Sequence, residues 1–99
     1  DAAADATDAV GLDLSAETGA DMLFRSDHFA FARARIPALG LFAGFHADYH
    51  TPADEPETVD TAKAADVARL AAWVVAAVAQ MEEPPEWTAV GETRLAPYW

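Results

Sequence analysis

The sequence contains no cysteine in its 99 residues, which excludes a disulfide framework and a thiolate metal site. Any metal ion must therefore be held by His, Asp or Glu. Basic residues are also few, since six Lys and Arg stand against 17 Asp and Glu and give a formal net charge of −11. This charge argues against binding to nucleic acid or to anionic membranes, because both repel an acidic surface. We interpret the acidic excess as a solvated surface that favours solubility.

Long apolar runs are absent as well, and none approaches the roughly 20 residues needed to span a bilayer. The first ten residues lack a basic stretch followed by an apolar one, so they do not have the pattern of a signal peptide. The sequence does not begin with Met, which fits a piece of a longer chain. Hydrophobic residues make up 53% of the chain, which is enough to pack a core.

The first half of the chain predicts a short helix followed by a buried strand. Ser26 or Asp27 can begin the helix by accepting a hydrogen bond from its first turn. The helix must end near Arg35, because Pro37 disfavours the helical conformation in the residue before it. The nearly continuous apolar run of residues 36–43 then predicts a strand buried on both faces. The stretches before the helix predict a helix end or frayed tail, a short strand and a loop, at residues 1–9, 10–14 and 15–25.

The second half predicts a loop, a long helix and a tail. Residues 44–57 are rich in Pro, Gly and Asp and predict the loop. Thr58 or Asp60 caps a helix over residues 60–82, which ends before a Pro-Pro pair. Its apolar residues recur at intervals of three and four, which predicts one buried stripe: Val67, Leu70, Trp73 or Val74, Ala77, Val78 and Met81. Residues 84–99 predict an extended tail that packs back onto the protein through its tryptophans.

Alternating strands and helices predict an α/β fold with a parallel or mixed sheet. The loop that follows the buried strand would lie at the carboxyl edge of that sheet, where open α/β sheets bind ligands. This loop holds His46, Asp48, Tyr49 and His50. Imidazole and carboxylate are zinc donors, but a loop histidine is more often a surface or hydrogen-bonding residue. The chemistry of the residues alone leaves both interpretations open.

A resemblance to a known family adds to this interpretation. Residues 25–60 resemble the closing part of M28-family peptidases, in which an S-D-H-x-x-F helix start leads to a G-[IV]-P-A strand, a Y-H-T-P-x-D loop and a long helix. The matching residues are Ser26, Asp27, His28, Phe31, Ile36, Pro37, Ala38, Tyr49, His50, Thr51, Pro52 and Asp54. Arg35 departs from the family, which usually has glycine there. Because Arg35 lies at a helix end, the change should affect backbone geometry more than chemistry.

The resemblance implies a zinc-dependent aminopeptidase that removes N-terminal residues from peptides. The implied fold is a three-layer zinc-exopeptidase fold, with a central mixed sheet between helices. Two zinc ions are implied in the intact enzyme, together with a glutamate general base. His50 matches the last histidine ligand of one zinc, and Tyr49 matches a tyrosine that, in some members of the family, donates a hydrogen bond to the developing oxyanion. The family habit also suggests export to the periplasm or the medium.

The rest of the implied site is missing from the sequence. The single Glu-Glu pair, Glu82–Glu83, lies at a helix end, and the H-x-D of residues 46–48 shares the loop of His50. We therefore predict that residues 1–99 are the C-terminal part of one catalytic domain, inactive alone and binding zinc weakly or not at all. The unpaired buried strand predicts self-association of the isolated chain.

Some residues of the motif have no chemical role, and two alternatives to the enzyme stay open. Ser26, Asp27 and His28 are not a catalytic triad, because three consecutive residues cannot face one another as nucleophile, base and orienting group; we expect a helix cap near the rim of the site. The first alternative to the enzyme is an accessory domain that keeps the fold without the chemistry. The second is an independent acidic α/β domain, which predicts reversible unfolding as a monomer with no effect of zinc.

Overall fold

The computed structural model describes residues 11–12, 22 and 24–99. The regular elements of this part are helices, which in chain order are α1 (His28–Arg33), a 3₁₀ turn (Pro56–Thr58), α2 (Thr61–Ala79), α3 (Ala89–Leu95) and a second 3₁₀ turn (Ala96–Tyr98). No strand occurs among the described residues. The prediction of an α/β fold with a mixed sheet is therefore wrong for this part of the chain.

The predicted buried strand at residues 36–43 is the clearest error. The segment has no regular secondary structure, and its large side chains are exposed: Ile36 is 52% and Phe42 48% accessible. The apolar run indicates which side chains avoid water, but a strand also needs a neighbour that accepts its backbone hydrogen bonds. No second strand lies within the described part to supply one. The predicted strand at residues 10–14 lies outside the described residues except for residues 11–12, and the predictions for residues 1–9 and most of 15–25 lie outside them too.

The chain divides into two compact units. The first unit comprises Asp1–Asp13 and Leu41–Ala77, and the second comprises Leu14–Gly40 and Val78–Trp99. Among the described residues, the buried side chain of the first unit is Leu70, whereas Ala32 and Leu95 are fully buried in the second. None of the helices in the described part is long and apolar enough to cross a membrane. The predicted export stays a prediction.

Helix α2 agrees best with the sequence. The Oδ1 atom of Asp60 accepts a hydrogen bond of 2.9 Å from the backbone N–H of Lys63, so Asp60 is the cap. Leu70 is buried, and Val67, Val74 and Ala77 are half-buried, which confirms the central part of the predicted stripe. Trp73 is 57% accessible, so Val74 and not Trp73 belongs to the stripe. The predicted stripe is wrong at its C-terminal end, because Val78 and Met81 are exposed. The helix ends at Ala79, before the predicted residue 82.

Helix α1 ends in a Schellman motif with an unusual residue. The N–H of Arg35 donates to the carbonyl of Ala32, and the N–H of Ile36 donates to that of Phe31, both at 3.0 Å. Arg35 has a φ of +63°, the left-handed conformation that glycine adopts most readily. The sequence prediction that the missing glycine affects backbone geometry is confirmed. At the other end, Asp27 is the N-cap, but its side chain makes no capping hydrogen bond.

The C-terminal segment is helical over Ala89–Leu95 and Ala96–Tyr98, so the prediction of an extended tail at residues 84–99 is wrong there, whereas residues 84–88 have no regular secondary structure. Thr88 caps α3, and its Oγ1 accepts a hydrogen bond of 3.1 Å from the N–H of Gly91. The predicted packing through tryptophan is confirmed. The Nε1 atom of Trp99 donates to the carbonyl of Ala32 at 2.9 Å, and that of Trp87 donates to the carbonyl of Arg35 at 3.3 Å. The two indoles thus bond to carbonyls in the last turn of α1 and just after it, and the carbonyl of Ala32 accepts this bond in addition to the one from Arg35.

Candidate functional site

The loop that carries the sequence motif is built from two successive turns. The N–H of Tyr49 donates to the carbonyl of His46 at 3.1 Å, and the N–H of Thr51 donates to that of Asp48 at 3.0 Å. The hydroxyl of Thr51 adds a second bond to the same Asp48 carbonyl, at 2.7 Å, and accepts one from the N–H of Ala53 at 3.3 Å. This local network holds the backbone on both sides of His50.

His50 lies in a conformation that few residues adopt. Its φ is +56°, inside the turn closed by the bond from Thr51 to Asp48. Histidine, like Asn and Asp, is enriched at such positions, although the left-handed conformation still costs about 1 kcal/mol or more relative to glycine. The side chain is exposed. Backbone strain of this kind clusters at functional sites, where the surrounding structure maintains it.

Four aromatic rings of the first unit stand in sequence beside this turn, and we call them the aromatic column: Phe42, Phe45, Tyr49 and His50. Phe42 meets Phe45 edge to face with centroids 4.9 Å apart, and Phe45 meets Tyr49 in the same way at 4.8 Å. Tyr49 then stacks on His50, with centroids 4.0 Å apart and planes inclined by 17°. The column runs from two phenylalanines, through a half-buried tyrosine, to an exposed imidazole.

His46 and Asp54 form a separate contact in the loop. The Nε2 atom of His46 lies 3.8 Å from Oδ1 of Asp54, and both side chains are about half-exposed. An exposed pair of this type contributes about 0–1 kcal/mol, and only when the imidazole is protonated. The N–H of Asp54 donates to the carbonyl of Thr51 at 3.1 Å, which closes a further turn of the loop. His46 also meets the ring of Tyr49 edge to face, with centroids 6.1 Å apart.

The S-D-H segment has a structural position in the second unit. Ser26 and Asp27 are exposed at the start of α1. The imidazole of His28 packs on the backbone of Gly40, where an added Cβ would lie 3.5 Å from the Cε1 atom of His28. This is van der Waals contact. The predicted side-chain cap is not formed, because Asp27 makes no capping hydrogen bond.

The described residues do not form a metal site by themselves. Within residues 11–12, 22 and 24–99, no group of three or more His, Asp or Glu side chains is placed to hold a metal ion. The side chain of His50 is exposed, and imidazole is a common zinc donor. Zinc sites in enzymes use at least three protein ligands. The structure therefore brings together the two predicted residues, Tyr49 and His50, without completing a metal centre around them.

Phe42 and Phe45 were missed as site residues by the sequence interpretation. Phe42 was assigned to the apolar strand and Phe45 to the loop without a role. The available signal was their spacing, since aromatic residues at 42, 45 and 49 precede His50 at intervals that allow ring contacts in a compact turn. Asp48 also gains a role, because its carbonyl accepts both bonds from Thr51.

Comparison with known proteins gives a match to a family model. The model of a family described as peptidase family M28 matches residues 1–75 of the chain. The matched region contains the loop with Tyr49 and His50 and most of α2. No curated protein matches the chain, and no solved structure does.

Proposed function

Because the chain belongs to peptidase family M28, we propose that it takes part in the zinc-dependent removal of N-terminal residues from peptides, with His50 as a zinc ligand. One observation carries the assignment of the ligand. The exposed imidazole of His50 stands in a turn with positive φ, at the position where the Y-H-T-P-x-D loop of the family has its last histidine ligand. The strained backbone gives this position a specific geometry that a surface histidine does not need.

The chemistry assigned to this loop has two parts. When bound, zinc polarises a carbonyl and makes its own water a nucleophile near neutral pH. Tyr49 lies directly against the ligand, with ring centroids 4.0 Å apart, so its phenol is in reach of a substrate that approaches the ion. A phenol O–H in this position donates a hydrogen bond to the negative charge that develops on the carbonyl oxygen.

The proposed zinc site needs metal ligands in addition to His50. The intact enzyme holds two zinc ions, and the remaining ligands and the general base lie outside the described residues. A single imidazole holds zinc weakly, because catalytic sites use three protein ligands. The 99-residue chain by itself is accordingly expected to show no peptidase activity and little zinc binding.

The test compares two histidines of the same loop in the natural full-length protein. We expect His50→Asn to lower zinc affinity by more than roughly a hundredfold, because even a hydrogen-bonding partner of a ligand is worth 10–100-fold. Asparagine tolerates positive φ, so the exchange removes the imidazole with little change in turn strain. His46→Asn is the matched control and should leave zinc affinity within about threefold of wild type. Zinc content after dialysis and hydrolysis of an aminoacyl amide measure the outcome.

The alternative of an accessory domain without chemistry makes a different prediction for the same variants. Under this alternative, His50→Asn leaves zinc content unchanged and the full-length protein does not hydrolyse aminoacyl amides. Equal zinc affinity in the His50→Asn and His46→Asn variants would refute the assignment of His50. The independent α/β domain is not supported, because the described residues contain no strand.

We still propose that the 99-residue chain self-associates, but through exposed apolar side chains and not through the edge of the predicted strand. In the first unit, Leu41, Phe42 and Phe45 lie close in sequence, and all three are exposed. Contiguous exposed apolar side chains favour association. Sedimentation velocity over a range of concentrations measures the effect, and a monomer at all concentrations would contradict it.

A further inference from the structure

We propose that the C-terminal module, by which we mean residues 87–99, exchanges between two copies of this chain, so that the module of each copy docks on helix α1 of the other. The partner is a second copy of the chain. The surface that receives it is the part of α1 that the module covers within one copy. This exchange does not depend on the proposed peptidase function, and it differs from association through the exposed side chains at residues 41–45.

The C-terminal module is held together by contacts among its own residues. Thr88 caps α3, since its Oγ1 accepts a hydrogen bond of 3.1 Å from the N–H of Gly91. The ring of Trp87 packs on Gly91, where an added Cβ would lie 3.0 Å from the Cε3 atom of the indole. The ring centroids of Trp87 and Trp99 are 6.0 Å apart, so the two ends of the module meet. These contacts allow the module to keep its shape when it leaves α1.

The module binds α1 through hydrogen bonds that do not require a continuous chain. The Nε1 atom of Trp99 donates to the carbonyl of Ala32 at 2.9 Å, and that of Trp87 donates to the carbonyl of Arg35 at 3.3 Å. The bonded residues are 67 and 52 positions apart in the sequence. The guanidinium of Arg35 also lies over the ring of Trp99, 5.2 Å from its centroid. The same contacts therefore form whichever copy supplies the module.

A cluster of three aromatic rings joins the module to the start of α1. The ring of Tyr98 lies 5.3 Å from that of Phe24 and 5.4 Å from that of Phe29, and the two phenylalanines are 5.1 Å apart. Such ring pairs are favourable beyond the apolar area that they bury. Departure of the module would remove both contacts of Tyr98 and expose the two phenylalanine rings. The vacated surface consequently favours a second module over water.

The connection between α2 and the module favours opening. Helix α2 ends at Ala79 and α3 begins at Ala89. Between them, residues 81–86 are exposed and belong to no helix or strand. Pro84 and Pro85 fix their own φ angles, and each also pushes the residue before it towards an extended conformation. A stiff connection reduces the advantage that covalent attachment gives to the module of the same copy.

The exchanged dimer keeps the contacts of the single chain, so two factors decide its population. A short flexible connection presents the module of the same copy at an effective concentration of about millimolar. Exchange should therefore become visible when the chain itself approaches roughly millimolar concentration. The net charge of −11 opposes the approach of two copies. The exchanged fraction should accordingly increase with added salt, which shortens the Debye length to about 3 Å at 1 M.

The test uses the 99-residue chain without substitutions. Equal amounts of ¹³C-labelled and unlabelled chain are mixed in urea, refolded together and brought to roughly millimolar concentration. Isotope-filtered NMR then detects only contacts between a labelled and an unlabelled copy. We expect intermolecular contacts between the ring of Tyr98 and the rings of Phe24 and Phe29. Their intensity should increase with chain concentration and with salt.

Two variants separate exchange from other kinds of association. Pro84→Gly combined with Pro85→Gly makes the connection flexible and should lower the exchanged fraction by about twofold or more. Phe42→Ser combined with Phe45→Ser changes exposed side chains of the first unit and should leave the contacts of Tyr98 in place. Sedimentation velocity gives the dimer fraction for each variant, and circular dichroism shows that it retains its helices.

The outcomes decide the proposal. Intermolecular contacts between Tyr98 and the phenylalanines of α1 and its approach, present in wild type and weaker in the glycine variant, support exchange. Contacts of Tyr98 that occur only within one copy at millimolar concentration would overturn it. A dimer that lacks the intermolecular contacts of Tyr98 and disappears in the serine variant would also overturn it, and would assign association to residues 41–45.

Discussion

Replacement of Arg35 tests two opposing contributions of this residue to the free energy of unfolding. The backbone of Arg35 is left-handed, with a φ of +63°, which costs a residue with a Cβ roughly 1–2 kcal/mol relative to glycine. Its guanidinium carbon lies 5.2 Å from the centroid of the Trp99 ring, a cation–π contact worth about 0.5–1 kcal/mol at an exposed site. The hydrogen bond from Trp87 goes to the backbone carbonyl of Arg35, so it survives any substitution there.

The magnitudes predict an order of stability among three proteins. Arg35→Gly relieves the strain and loses the contact with Trp99. It also raises the conformational entropy of the unfolded chain, which lowers the free energy of unfolding by about 0.4–1 kcal/mol. These terms nearly cancel, so its free energy of unfolding should lie within about 0.5 kcal/mol of wild type. Arg35→Ala loses the contact and keeps the strain, so it should be less stable than wild type by about 0.5–1 kcal/mol. The glycine variant should exceed the alanine variant by about 1 kcal/mol.

Urea unfolding followed by tryptophan fluorescence and by circular dichroism measures these differences, provided that the slope with denaturant stays constant. In a domain of this size, about 1 kcal/mol corresponds to a change in melting temperature of roughly 4–8 °C. Arg33 is the matched control, because it is the last residue of α1 and has ordinary helical geometry. Glycine should be less stable than alanine at this position. If alanine equalled or exceeded glycine at Arg35, the left-handed assignment would be refuted.

Two further predictions concern side chains, one for the tryptophans of the second unit and one for Leu70 of the first. Trp99→Phe should lower the free energy of unfolding by about 1 kcal/mol, because the indole of Trp99 donates a partly buried hydrogen bond to the carbonyl of Ala32. Trp87→Phe should lower it less, because the hydrogen bond of Trp87 is longer and exposed. Thermal unfolding measures both losses, and a larger loss for Trp87→Phe would contradict the structure. Leu70→Ala should cost about 2–5 kcal/mol, because Leu70 is 2% accessible. The control Trp73→Ala, on the exposed side of the same helix, should cost under about 1 kcal/mol in the same urea assay; similar losses for both would indicate that the buried face is misassigned.

The features that the sequence predicted well depend on local chemistry. Helix α2 follows from an aspartate cap and from apolar residues at helical spacing, both of which act within a few residues. The end of α1 follows from the restriction that Pro37 imposes on the residue before it. The loop at residues 44–57 follows from its Pro, Gly and Asp content. Each inference needs only neighbours in the sequence, which explains why the structure retains them.

The features that the sequence predicted wrongly depend on residues distant in the chain or on short helices. The apolar run at residues 36–43 lacks a strand neighbour within the described part, and no local pattern reveals whether one exists. Helix α3 has seven residues, too few for a helical period to be recognised in a tail that contains three prolines and two tryptophans. Its signal was Thr88, a good N-cap residue followed by Ala89 and then by Glu92 in the first turn. The hydrogen bonds of Trp87 and Trp99 to α1 hold the tail in place.

In the candidate site, an error about the fold and a prediction about the chemistry concern the same segment of the chain. The motif identified Tyr49 and His50 by their order in the chain, but order fixes neither the φ of +56° at His50 nor the stack at 4.0 Å. Phe42, assigned to a buried strand, instead lies against Phe45 and begins the column that leads to His50. Apolar residues just before a polar motif thus have two uses, to build a core or to hold a polar ring in place. In this chain their exposure and their edge-to-face contacts favour the second use.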